Sequence, residues 1–197
     1  GKQPIPAEEM GKYDATPKPG VVLVGSHVKK STAQLYALLE EETVTGIEVD
    51  VKQLRDYPDN KDQQLKEVLQ QIKTTHQQQQ TPVVYTSREE LQFETTQDRL
   101  DFGVRVSSFL MDIVRGLPEE ISFLISKGGI TSNDVLSDGL KLQSARLLGQ
   151  ILPGCSLVRT PETHPQFPSL PVVLFPGNVG DNQGLATVYR RLNKHYD

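Results

Sequence analysis

Three short apolar runs each deliver this chain into a glycine-bearing turn, and that repetition restricts the folds open to it. Residues 21–24 (Val-Val-Leu-Val) lead into Gly25, Ser26 and His27. Residues 121–125 lead into Ser126, Lys127, Gly128, Gly129, Ile130, Thr131 and Ser132, and residues 172–175 into Pro176, Gly177, Asn178, Val179, Gly180 and Asp181. Such runs read as buried strands, and in an open α/β sheet ligands bind beyond the carboxyl ends of the strands. Glycine lets backbone amides approach a phosphate closely, and a following helix N-terminus adds partial positive charge. Three turns of this kind in one small protein point to a phosphate-bearing ligand, with a nucleotide first among the candidates.

The 197 residues are 36% hydrophobic and 23% charged, enough for one folded domain with a sizeable core or two very small ones. No apolar run approaches the ~20 residues of a membrane-spanning helix, and the first residues lack a signal-peptide pattern. A net charge of -4, only 6% aromatic residues and no basic stripe argue against nucleic acid as a partner. Cys155 is the single cysteine, so no internal disulfide framework exists, and a reducing, cytoplasmic setting is expected.

Residues 1–19 contain Pro4, Pro6, Pro17 and Pro19 and read as a tail or linker, leaving 20–197 as the folded domain. Strands are predicted near 21–25, 45–51, 82–87, 121–125, 145–152, 155–159 and 171–175. Ser31 and Gln34 match a capping box that would start the first helix, with Leu35, Leu38 and Leu39 within it. Asp59 is a candidate cap for a second helix carrying Leu65, Val68, Leu69 and Ile72 at i, i+3, i+4 and i+7. Gln77 to Gln80 would close that helix as a polar run. Thr95 or Thr96 would cap a third, with Leu100, Val104, Phe109, Leu110, Ile113 and Val114 as its apolar face, ending before Gly116. A short helix is expected after Thr131, and a last one over 183–195 presents Leu185, Val188, Tyr189 and Leu192 together. Strand and helix alternate, so the expected fold is an α/β three-layer sandwich: a mixed, mostly parallel sheet flanked by helices.

Neither a Walker A loop nor a dinucleotide fingerprint is present. Each glycine turn alone is most simply turn geometry; the argument rests on their number and their polar neighbours Ser26, Thr131, Ser132 and Asn178. Lys127 precedes two glycines and reads either as a phosphate contact or as a solvated surface lysine. Asp134 and Asp181 are placed to hold water around magnesium, but each reads first as a cap or turn residue. His27 reads as an exposed loop histidine before a phosphate or base contact, and Cys155 as a buried, inert thiol. His76, His164 and His195 have no spacing that suggests a metal or a catalytic triad, and no direct protein metal ligand is assigned.

Taken in order, Gly25-Ser26 with Thr32, Gln34 and Leu35, then Gly128-Gly129 with Thr131-Ser132, then Leu148 to Gly154, then Pro176 to Asp181, resemble the four-carbon acid sugar kinases. The resemblance is to their C-terminal nucleotide-binding domain and covers nearly all of 20–195. It implies ATP-dependent phosphorylation of small sugar acids such as threonate, erythronate or 3-oxo-tetronate, with ATP–Mg²⁺ as the cofactor. Carried over residue by residue, it implies nucleotide contacts at Ser26, at Gly128, Gly129, Ile130 and Thr131, and at Gly177, with Asn178 and Gly180 shaping the last turn. Many relatives have an acidic or polar residue where this chain has Ile130. The family's N-terminal sugar-acid domain, with its adjacent aspartates, has no counterpart here, since the chain contains no Asp-Asp pair. The catalytic residues are therefore expected in that domain, supplied in cis or as a separate subunit, and the chain alone is expected to be inactive. A homodimer is left open. The competing reading is a stand-alone, non-catalytic regulatory domain that binds a nucleotide or another phosphate ligand.

Overall fold

In the computed structural model, which describes Pro4, residues 18–128 and residues 133–193, the chain forms one seven-stranded sheet covered on both faces. The strands are β1 (Val21–Val24), β2 (Val44–Val49), β3 (Thr81–Thr86), β4 (Leu124–Lys127), β5 (Arg146–Leu152), β6 (Cys155–Arg159) and β7 (Pro171–Phe175), in the spatial order β2-β3-β1-β4-β7-β6-β5. Pairing is parallel from β2 through β7, and β6 runs antiparallel to both β7 and β5. The mixed, mostly parallel three-layer sandwich expected from the sequence is what forms. Every residue of β1, β4 and β7 is buried, which is why these strands read as unbroken apolar runs rather than alternating ones.

Strand pleat divides the interior in two. Val21, Leu23, Leu124 and Val172 face one layer, built from α2 (Val51–Asp56), α3 (Lys61–Gln77) and α4 (Thr96–Arg115). Val22, Val24, Ile125, Val173 and Phe175 face the other, where α1 (Lys29–Leu39) and α5 (Gly184–Leu192) supply Leu35, Leu38, Leu185, Val188, Tyr189 and Leu192. The four apolar positions read for the closing helix are thus all buried on the sheet.

Several local expectations need correction. The first helix begins at Lys29, Val28 occupies its cap position without a side-chain bond, and Ser31 lies inside the helix. Asp50 is not part of a strand; its Oδ1 accepts from the amides of Lys52 (3.0 Å) and Gln53 (3.1 Å) and starts α2, a helix absent from the sequence reading. Asp59 lies in a 3-10 turn, and Asn60 precedes α3 without a side-chain cap bond. Thr95 does cap α4, accepting from Asp98 N at 3.0 Å. Leu100 and Val104 of α4 are exposed; Phe109, Leu110, Ile113 and Val114 are buried as expected, and Phe102 and Met111 join them. β4 begins three residues later than expected and ends two later, and the helix after Thr131 is a π-helical turn, Asp134–Gly139.

Cys155 is fully buried and its thiol is pushed up to about 12 by burial, as an inert core sulfur should be. His76 is buried at the end of α3, with Nε2 3.0 Å from the carbonyl of Glu120. Burial holds its pKa below the ordinary histidine value of 6.5. The folded state then binds fewer protons than the unfolded chain, so stability is lost as pH falls below 6.5 toward the folded value. Urea unfolding at pH 7 and pH 5 should show this loss, and it should be smaller in His76→Gln, which keeps a donor but does not titrate. An identical loss in the variant would assign the acid sensitivity to other groups.

Candidate functional site

The three glycine turns follow β1, β4 and β7, which are adjacent and parallel, so all three leave the same rim of the sheet. The connection from β1 heads toward β2 and that from β4 toward β5, so their carboxyl ends flank a topological switch point. The turns touch. Gly25 N donates to Lys127 O at 3.1 Å, and Gly128 N donates to Phe175 O at 2.9 Å. A Cβ on Gly128 would lie 2.5 Å from Ser26 Cβ and 3.2 Å from Gly177 Cα, and its φ of +52° is left-handed. Only glycine lets the three backbones come this close.

The last turn is held by its carbonyls. Lys127 Nζ donates to Pro176 O (2.7 Å) and Gly177 O (3.1 Å). Ser31 Oγ donates to Gly177 O (3.1 Å), and Lys30 Nζ to Asn178 O (3.2 Å). Gln34 Nε2 donates to both Val179 O (2.9 Å) and Asp181 O (2.8 Å). No described peptide bond is cis, so each amide points away from the carbonyl it shares a plane with. The N–H groups of Gly177, Asn178, Val179 and Gly180 therefore face away from these donors, and among the described residues none has an acceptor. Gly177 is half-buried and Asn178 exposed, leaving these amides within reach of a ligand. Asp181 is a turn residue, its Oδ1 accepting from Gln183 N at 2.9 Å. A row of free amides beside the uncapped N-terminus of α1 is a nest for an anion.

Ser26 sits between the turns, only 6% exposed, and its Oγ accepts a long bond from Val28 N at 3.4 Å. Its own carbonyl is taken by Arg88 Nη1 at 2.8 Å. Arg88 also bonds Thr86 O, Thr86 Oγ1 and Thr32 Oγ1, tying β3, α1 and the first turn together. No motif marks Arg88 in the sequence; a lone arginine after a strand has too many ordinary uses. Burial, then the Arg88 charge, lowers the pKa of His27, so its ring is neutral at pH 7, with Nε2 3.3 Å from Thr86 Oγ1.

Two clefts open from this rim on the α4 side. The larger, about 920 Å³, is lined by Ser126, Gly128, Asp134 and Gly177 with Gly103 and Ser107 of α4. The smaller, about 340 Å³, lies beside Ser26 and His27 and is walled by Phe93, Phe102 and Val106. Arg99 and Gly103 border both. The stripe Leu100, Gly103, Val104, Ser107 is why α4 carries exposed apolar residues: it lines a cavity rather than the core.

Ser26, Gly128, Gly177, Asn178 and Gly180 are thus gathered at one rim, while Gly129, Ile130 and Thr131 lie outside the described residues. The solvated-surface reading of Lys127 fails: it is 0% exposed, with its Nζ on loop carbonyls and 4.6 Å from the Phe175 ring centroid. The capping-box pair is also reassigned, because Ser31 and Gln34 hold the β7 turn rather than the start of their own helix. No group of three or more carboxylate, histidine or cysteine side chains suited to a metal occurs among the described residues. No described helix is long and apolar enough to cross a membrane.

A family model of nucleotide-binding C-terminal domains matches residues 21–185. The chain belongs to this family, whose motifs are those of the four-carbon acid sugar kinases. Solved structures share the fold of this nucleotide-binding domain. A domain of unknown function from Bordetella bronchiseptica, determined as a domain-swapped dimer with bound citrate, superposes with a TM-score of 0.65 at 17% identity. That match covers 89% of this chain and 41% of the other. A Salmonella typhimurium LT2 protein, provisionally described as a tRNA synthase, gives a TM-score of 0.66 at 18% identity, covering 98% of this chain and 43% of its own. The domain therefore spans about two fifths of the length of these structures. No curated protein matches the sequence significantly.

Gln34 is fully buried, and its Oε1 is a buried acceptor with no partner. Keeping an imperfectly satisfied amide there makes sense if its two donated bonds to the last turn matter more. Gln34→Leu strands both carbonyls and should cost about 1–3 kcal/mol in urea unfolding. Unchanged stability would show that the turn holds its shape without this anchor.

Proposed function

We propose that this domain holds ATP–Mg²⁺ at the β1, β4 and β7 turns and forms the nucleotide half of a kinase for four-carbon sugar acids. One observation carries the reading. Every carbonyl of Pro176 to Val179 is occupied by a protein donor, leaving the matching amides and the first turn of α1 for a polyanion. In this reading Ser26, Gly128, Gly177 and Asn178 surround the phosphates, with Gly129, Ile130 and Thr131 continuing the β4 turn along the nucleotide. The base and ribose have the clefts along α4, where Gly103 leaves room for close approach. Magnesium is carried by the phosphates and water, which suits its preference for few protein ligands.

Phosphoryl transfer depends on an acceptor in line with the γ-phosphate and on neutralising its charge. The acceptor side belongs, in this proposal, to the N-terminal sugar-acid domain, joined in cis or supplied as a separate subunit. The length of the Bordetella and Salmonella structures supports such a larger assembly, and the bound citrate of the former is in keeping with a small acid as substrate there. Its domain-swapped dimer supports a homodimer of the complete protein. The cytoplasm, where ATP is abundant, is the proposed location.

Thermal shift with ATP–Mg²⁺ tests the site. A ligand that binds only the folded state adds about 2.7 kcal/mol at one hundred times its Kd. Ser26→Ala and Gly103→Leu should each remove most of that shift. A Cβ on Gly103 meets nothing within 4 Å, so Gly103→Leu should leave the unliganded domain folded. Full shifts in both variants would place the nucleotide elsewhere. Without the sugar-acid domain, turnover of threonate should be negligible; rates of roughly 1–100 s⁻¹, typical of kinases, would contradict the division of labour.

A further inference from the structure

We propose that Lys127 is a built-in counter-charge for the ligand: a buried cation under the β7 turn that the protein leaves unneutralised and the bound phosphates neutralise. The inference rests on the nucleotide reading above, which assigns the polyanion but no role to this lysine. Three observations carry it. Lys127 is 0% exposed at the end of β4, yet no carboxylate among the described residues forms an ion pair with it. Buried charges are ordinarily paired, because burial without a counter-ion is costly. Its Nζ instead holds Pro176 O and Gly177 O, on the side opposite to the amides of Gly177 and Asn178. It thus orients those two amides and adds its charge behind them, across a single layer of backbone.

The surroundings do not supply the missing negative charge. Cys155 from β6 is kept protonated by burial, Lys30 from α1 is itself cationic, and Phe175 from β7 offers only its ring face. Tyr189 from α5, in the same cluster, shares a short hydrogen bond with Thr43. Burial, reinforced by Lys30 and only partly offset by Cys155, pulls Lys127 from 10.5 to about 8. The folded, unliganded domain then binds fewer protons than the unfolded chain between about pH 8 and 10.5, so this group favours folding more as pH rises through that window. An anion at the amides reverses the preference. It favours the charged lysine, so binding raises the pKa of Lys127 and draws a proton from solution.

Proton linkage is the readout that a merely structural lysine would not give. Calorimetric titration with ATP–Mg²⁺ at pH 8 in two buffers of different ionisation enthalpy should show uptake of about 0.4 proton per ligand for a one-unit rise in the Lys127 pKa. Affinity should fall roughly tenfold between pH 7 and pH 10 if binding raises the pKa by one unit. Lys127→Met should bind more weakly and take up no proton, whereas Lys30→Gln should keep the uptake. Where Lys127→Met does not fold, the 13Cε shift of Lys127 in labelled wild-type protein gives the same answer: its pKa must rise when ATP–Mg²⁺ is added. Binding without proton uptake, an uptake that survives in Lys127→Met, or an unmoved Lys127 pKa overturns the inference and leaves the nucleotide reading standing. Absence of any ATP–Mg²⁺ binding by the wild-type domain would overturn both.

Discussion

The carbonyls of residues 176–179 have all been claimed by side chains, and the rest of the rim follows from that. Lys127 reaches them from β4, and Lys30, Ser31 and Gln34 from the first two turns of α1. A turn held by its acceptors has only donors left to offer. Because β1, β4 and β7 are neighbours in the sheet, the same bonds lock three separate parts of the chain into one surface. Gly128, pressed between Ser26 and Gly177, is the point where that surface closes. The apolar layers below, with fully buried β1, β4 and β7, make the platform rigid enough for such spacing to hold.

Much of this was legible in the sequence, for definite reasons. Strands buried on both faces produce unbroken apolar runs, so β1 and β7 were read within a residue. The 3.6-residue period put Leu185, Val188, Tyr189 and Leu192 on one buried face. Glycine after each strand pointed to close backbone approach, and the approach occurs. What failed were inferences from local pattern to local partner. Ser31 and Gln34 have the spacing of a capping box, but their partners lie 145 to 147 residues away in the chain: Gly177 for Ser31, and Val179 and Asp181 for Gln34. Lys127 looked polar and therefore accessible; the strand carried it inside. Leu100 and Val104 continued an apolar stripe past the point where the core ended and the cleft began. Asp50 and Arg88 gave no signal, since a single capping aspartate or clamping arginine is ordinary until its neighbours are known.

Family membership and geometry meet at the same residues. The model for nucleotide-binding C-terminal domains spans β1 through the start of α5, the segment that builds the rim. The structural neighbours, at 17–18% identity, show the shared fold alone, and they are more than twice as long. A rim that presents backbone donors suits a domain that binds a nucleotide through its phosphates.

Backbone-amide NMR during titration with ATP–Mg²⁺ tests this account most directly, because it reports on the donors themselves. The resonances of Ser26, Gly128, Gly177 and Asn178 and of the first turn of α1 should move together along one binding curve, while those of Gln79, just before β3, and Leu117, just after α4, stay still. Shifts centred on Gln79 and Leu117, or an unmoved Gly177 and Asn178 under saturating nucleotide, would contradict it.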